Sequence, residues 1–265
     1  MLLGRALKDG LRSRVLIQVK FGAQRDPNGN WLGYDARPAA MKNFLGYTLR
    51  RLGTDHVDVY RPGRLDPNVP IEETVGAIAE MIRAGYVRHV GLSEVGADTL
   101  RRAHAVHPVS DLQIEYSLFS RNLEDDILPA CRELGVGVTA YGVLSRGLLS
   151  GSAPAAKGDF RAHMPRFAGE NFTRNQRVVE TLRDLGREKN VSATQLAIAW
   201  VLARGRSIVP VIGARTRAQL NEALGALEVE LSAGDLARIE QAVPASAVHG
   251  TRYPEQQMRV LDSER

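Results

Sequence analysis

Hydrophobic and polar positions along this chain alternate between two rhythms. Short runs rich in β-branched residues recur from Val15 to Phe21, His56 to Arg61, Arg88 to Ser93, Leu112 to Ser117, Val136 to Val143 and Ile208 to Gly213. Their near-continuous apolar character is what strands buried on both faces of a parallel sheet require. Between them the period lengthens to that of helices: Arg37 to Leu52, Pro70 to Ala84, Ala97 to Ala105, Leu123 to Leu134, Thr173 to Glu188, Ala193 to Ala203, Arg217 to Leu224 and Ala233 to Gln241. Pro70 suits a first helical turn and Gly85 a C-terminal cap. Strands alternating with helices of this length predict repeated βαβ units.

No Pro/Ser-rich linker, low-complexity tract or block of like charge interrupts the series, so residues 1–265 read as a single domain. A closed parallel barrel needs eight such units to leave no strand edge unpaired, and the pattern supplies six. The chain also opens inside an expected helix, Leu2 to Leu11, with no N-cap and no strand ahead of it. The expected fold is therefore α/β, a (β/α)8 TIM barrel lacking its first two βα units, roughly 45 to 60 residues. The competing reading is an open, doubly wound sheet of six strands. No G-x-G-x-x-G follows any strand, so a dinucleotide site of that kind has no support.

Composition narrows the class. With 44% hydrophobic and 25% charged residues the chain falls in the ordinary globular range. No apolar run approaches the roughly 18 residues of a membrane span, and charges interrupt the opening MLLGRALKDGLRSR where a signal peptide would be apolar, so a cytoplasmic protein is expected. The single cysteine, Cys131, cannot form an internal disulfide, and its PACRELG setting places it on the inner face of a helix. The net charge of +5 is spread along the chain without an aromatic-interleaved basic stripe, which argues against a nucleic-acid partner. His104 and His107 lack a third ligand at suitable spacing, so no metal site is expected. A homo-oligomer stays open.

In a barrel, working residues stand at the C-terminal ends of strands and in the loops that follow. Lys20 ends the apolar run VLIQVKFG, where its ammonium must sit in the barrel mouth or against a carboxylate. Burial there would lower its pKa, suiting either a Schiff-base nucleophile or a cation that tunes a neighbouring acid. In IVPVIGARTRAQL, Gly213, Arg215 and Arg217 lie between the last strand and a helix, a pattern for binding phosphate through free amides and guanidiniums. Tyr141 could offer a flat face to a planar ligand, and Ser93 and Gln113 carry groups suited to a carboxamide.

Read in order, the segments VLIQVKFG, LRRLGTDHVDVY, DPNVPIEETVGAIAEMIRAGYVRHVGLSE, QIEYSLFSR, VTAYGVLSRGLLSG and IVPVIGARTRAQLNEALGAL, with the closing GTRYPEQQM, resemble an aldo-keto reductase. The likeness is strongest to the bacterial branch of pyridoxal-reductase-like enzymes. It implies reduction of aldehydes or ketones by hydride transfer from NADPH, with a small-molecule carbonyl as partner. It also implies that Lys20 is the lysine of a catalytic Asp-Tyr-Lys-His tetrad, that Ser93 and Gln113 hold the carboxamide, and that Tyr141 stacks on nicotinamide. Gly213, Arg215 and Gln219 would grip the 2'-phosphate, favouring NADP(H) over NAD(H). The family places the tetrad's Asp and Tyr in a D-T-A-x-x-Y-G motif just ahead of LLGRAL, which leads to the expectation of an N-terminally truncated chain. Gly63 stands where the family has its histidine, and Arg64 is the expected partial substitute; Glu94 and Ala223 stand where many members have Asn. Two other readings compete: a non-catalytic NADP(H)-binding or interaction protein, and a Schiff-base aldolase-like barrel using Lys20.

Overall fold

The structure, a computed structural model, describes residues 2–154 and 158–264. In chain order, helix α1 (Leu2–Ala6) precedes strand β1 (Gln18–Phe21) and the strands β2 (Ala23–Arg25) and β3 (Trp31–Tyr34). Then come α2 (Pro38–Leu52), β4 (Val57–Pro62), α3 (Ile71–Arg83), β5 (Val87–Ser93), α4 (Ala97–Val106), β6 (Val109–Glu115), α5 (Ile127–Leu134) and β7 (Gly137–Tyr141). A longer connection carrying α6 (Gly169–Glu188) and α7 (Ala193–Ala203) leads to β8 (Ile208–Pro210), followed by α8 (Arg217–Leu224), α9 (Ala233–Ala242) and α10 (Glu255–Met258).

Strands β1, β4, β5, β6, β7 and β8 pair in that order, every neighbour parallel, as the six apolar runs predict. Among the described residues β1 and β8 are the two edges of this sheet. Every residue of β4 is buried, which is why its sequence carries no solvent-facing alternation. Its two buried charges are neutralised in place. Asp58 accepts from the Ile17 N–H at 2.8 Å and meets Arg12 at 2.9 Å, while Arg61 reaches Asp111 at 2.5 Å.

Between sheet and helices the core is continuous, and α7 shows why its sequence has no polar face. Eight of its residues are buried, including Trp200, whose ring meets Tyr116 edge-on at 5.4 Å. Full burial of such a side chain contributes about 1.5 to 3 kcal/mol. The Ser192 hydroxyl and the Gln195 amide cap its first turn reciprocally. Cys131 is buried on the inner face of α5, as expected. No helix of the described residues is long and apolar enough to cross a membrane.

Three local expectations need correction. The helix from Leu2 to Leu11 stops at Ala6 and resumes only as a 3-10 turn over Leu11–Arg14, because Asp9 and Gly10 both take positive φ. The helix from Leu123 begins as a 3-10 turn, Asn122–Glu124, and becomes α-helical at Ile127. The antiparallel hairpin of β2 and β3 was not expected at all. Its turn is held by Asp26, which accepts from the Asn30 backbone and side-chain N–H groups, both at 2.8 Å. The hairpin carries Tyr34 back over the C-terminal end of β1, and there the strand ends gather Lys20, Gly63, Arg64, Ser93, Glu94, Glu115 and Tyr141.

Candidate active site at the strand ends

Parallel pairing sets Lys20 opposite Arg61, and the Lys20 ammonium lies 5.2 Å from the centre of the Tyr141 ring at the end of β7. Lys20 keeps accessible surface because β1 is an edge strand, but protein is packed densely around its charged end. That burial, reinforced by the nearby Arg64 and Arg61 guanidiniums, lowers its pKa to about 8 against the pull of Glu94 and Asp111. Lys20 is thus an exposed residue of the edge strand whose ammonium lies beside the Tyr141 ring.

Arg64 donates to the Gly63 carbonyl at 2.7 Å and is half-buried. Burial pulls its pKa down, but the Tyr141, Tyr253 and Tyr34 phenols and the Glu94 carboxylate around it outweigh that effect and raise it. Gly63 fits because it has no side chain: a Cβ there would stand 3.2 Å from the Phe21 carbonyl oxygen and 3.4 Å from the Tyr34 ring. The hairpin's tyrosine thus covers the position where a histidine would project.

Ser93 and Gln113 are partners in register at the adjoining ends of β5 and β6. The Ser93 hydroxyl is buried and, among the described residues, has no hydrogen-bond partner. A buried hydroxyl left unpaired costs about 1 to 3 kcal/mol, so this pair has the unmet capacity that a carboxamide would fill. Tyr141 lies alongside, its hydroxyl 3.1 Å from that of Tyr253, and burial, then Glu94, Tyr253 and Glu115, pushes its pKa well above the usual phenol value.

A cleft of about 760 Å³ begins beside Tyr141 at Gly142 and is lined further on by Arg146, Gly213, Arg215 and Gln219. The Gln219 side-chain oxygen accepts from the Arg215 N–H at 2.8 Å, and the Thr216 hydroxyl caps α8 by accepting from the Gln219 N–H at 3.2 Å. These bonds fix the turn while the Arg215 and Arg217 side chains stay exposed. A helix N-terminus with two exposed guanidiniums suits a phosphate. The residues present therefore fit a nicotinamide dinucleotide, with Ser93, Gln113 and Tyr141 at one end and Arg215 and Gln219 at the other. Ala223 lines the cleft where an amide was expected and supplies no hydrogen bond.

Reading the sequence missed the charge network beside the mouth. Glu94, at a positive φ of 56°, accepts from Arg252 through both oxygens at 3.0 and 2.6 Å, from the Ser263 hydroxyl at 2.8 Å and from the Glu115 N–H at 2.9 Å. Burial would raise its pKa, but these contacts hold it down at about 2. Glu115 in turn meets Arg166 at 3.4 Å and Arg146 at 3.5 Å. Residue 94 is therefore a fastening for the C-terminal segment and is not available as a carboxamide ligand. The Arg-Tyr pair in GTRYPEQQM was the only local signal. Among the described residues no group of three or more His, Cys, Asp or Glu could hold a metal, and His104 instead accepts from the Val109 N–H at 3.3 Å.

Comparison with known proteins adds the remaining findings. Residues 1–244 match the profile of the Aldo/keto reductase family. A protein of Glycine max named probable aldo-keto reductase 1 is 39% identical over 259 residues, covering 96% of this chain and 74% of the relative. Among solved structures, a glycerol dehydrogenase from Gluconobacter oxydans superposes with a TM-score of 0.85 at 26% identity, over 96% of this chain and 79% of that one. A thermostable aldo-keto reductase bound to the inhibitor epalrestat superposes with a TM-score of 0.72 at 26% identity, over 91% of this chain and 76% of that one.

Proposed function

The chain belongs to the aldo/keto reductase family of oxidoreductases, and from that premise we propose that it reduces an aldehyde or ketone to the alcohol at the expense of NADPH. The observation that carries this reading is the unpartnered Ser93 hydroxyl, in register with Gln113, close to a cleft that leads to the Arg215 turn. NADPH supplies the hydride when bound. Ser93 and Gln113 orient the carboxamide, Tyr141 offers its ring to the nicotinamide face, and Gly213, Arg215 and Gln219 receive the 2'-phosphate.

At the carbonyl, carbon takes the hydride and oxygen takes a proton. Lys20 stabilises the negative charge that develops on that oxygen, and a cation already placed in the mouth does this with little reorganisation. With a pKa of about 8, Lys20 is also an acid suited to proton delivery near neutral pH. The test is NADPH oxidation with a panel of aldehydes, comparing the chain with Lys20→Met. Turnover is expected, with kcat lowered about 100-fold or more in the variant. Binding of NADPH without turnover would favour a non-catalytic NADP(H)-binding protein, a reading supported by Gly63, which offers no side chain to a substrate. A panel that supports no NADPH oxidation and no NADPH binding would overturn both.

A further inference from the structure

We propose that the carbonyl substrate itself carries an anionic group, a carboxylate or a phosphate, and that Arg64 receives that group. The inference rests on the reductase reading of the same site.

Among the described residues the fully buried guanidiniums at this end of the sheet each face a carboxylate, whereas Arg64 is half-buried: Arg61 meets Asp111 at 2.5 Å, Arg166 meets Glu115 at 3.4 Å and Arg252 meets Glu94 at 2.6 Å. Buried charge is ordinarily paired in this way. Arg64 breaks the pattern. Of its five N–H donors, one goes to the Gly63 carbonyl, and among the described residues no carboxylate lies within ion-pair distance of it. Glu94 is the acid that draws on it most directly, but that carboxylate is already engaged by Arg252, Ser263 and the Glu115 N–H.

Lys20 faces the same space and likewise has no ion pair among the described residues; the two cations repel. A neutral carbonyl oxygen accepts one or two hydrogen bonds and leaves the guanidinium fork largely unmet. A carboxylate or phosphate oxygen pair fills that fork and removes the repulsion between Arg64 and Lys20 together. Besides Glu94, the groups whose charge acts on Arg64 are the phenols Tyr141, Tyr253 and Tyr34, and ordinary phenols bring no anion at neutral pH.

The experiment compares matched substrates with the unmodified chain and NADPH: 4-carboxybenzaldehyde against its methyl ester, and glyceraldehyde 3-phosphate against glyceraldehyde. The charged member of at least one pair is expected to show kcat/KM about tenfold higher or more, mostly through KM, with the advantage shrinking as salt is raised. The pair that shows it identifies carboxylate or phosphate as the group received. In Arg64→Gln the charged member should lose its advantage over the neutral member of the same pair, both measured with the same variant. Equal or reversed preference in both pairs, or a preference that survives Arg64→Gln, overturns the inference while leaving the reductase reading intact. Calorimetric titration with 4-(hydroxymethyl)benzoate separates the two claims from the other side. Arg64-dependent binding of this carboxylate, in a chain that reduces no aldehyde, would uphold the anion site and sink the reductase reading.

Discussion

Two charged regions share the C-terminal end of the sheet, and they are built on opposite terms. Around Glu94, cations and carboxylates interlock: Arg252 bridges to Glu94 and to Glu264, and Arg166 and Arg146 converge on Glu115. Around Lys20 and Arg64, a few residues away, two cations crowd one another with phenols for neighbours. The first region tethers the C-terminal segment to the strand ends. In the second, burial first and the Arg64 guanidinium next hold the Lys20 pKa down, so the Lys20 charge does not support the fold. Charge that lowers stability without a partner is the kind that a ligand completes, and functional sites concentrate it.

The contrast is broken most directly at Arg252. Arg252→Ala leaves the buried Glu94 carboxylate without its ion pair and should cost about 3 to 5 kcal/mol, read from urea unfolding. A loss below about 1 kcal/mol would mean that the tether is ornamental. Adding Glu94→Gln to that variant should recover part of the loss, since coupled partners do not add. Next in size is Arg215→Ala, which removes a charge-assisted contact worth about 1.5 to 3 kcal/mol and should weaken NADPH binding about 10- to 100-fold while leaving NADH unchanged. Lys20→Met should change stability by less than about 1 kcal/mol, and in the favourable direction, because it removes a charge with no partner. A loss above about 2 kcal/mol would place Lys20 among the structural charges.

Proton linkage gives the two regions opposite signs. Glu94 titrates at about 2 in the folded chain against an ordinary 4.5, so its contribution is complete above about 4.5 and is lost as pH falls toward 2. Lys20 titrates at about 8 against an ordinary 10.5, so its charge penalises the fold below about 8, and that penalty lifts as pH rises from about 8 to 10.5. Unfolding free energy compared between the chain and Lys20→Met across pH 7 to 10 should show the gap narrowing as pH rises. A constant gap would contradict the placement of Lys20.

Legibility in the sequence followed the range of the interactions. Six parallel strands and the helices between them were legible because apolar runs and 3.6-residue periods are written locally, and α7 and α8 ended where the pattern placed them. The mouth was legible in part because Ser93 and Tyr141 end their strands and Lys20 and Gln113 lie within two residues of the ends of theirs. Tyr34 and Arg252 were not. Tyr34 reaches the mouth through a hairpin whose strands are short and largely exposed, although Asn28, Gly29 and Asn30 between GAQR and WLGY were an available turn signal. Arg252 acts on a residue 158 positions away, a distance across which no period or spacing carries information.

The most direct measurement is a fluorescence titration of the purified chain with NADPH and with NADH. Saturable binding of both, tighter for NADPH and losing that preference in Arg215→Ala, is the expected result. Failure to bind either nucleotide, or equal affinity for the two, would contradict the assignment of Ser93, Gln113, Tyr141 and the Arg215 turn to a single NADP(H) site.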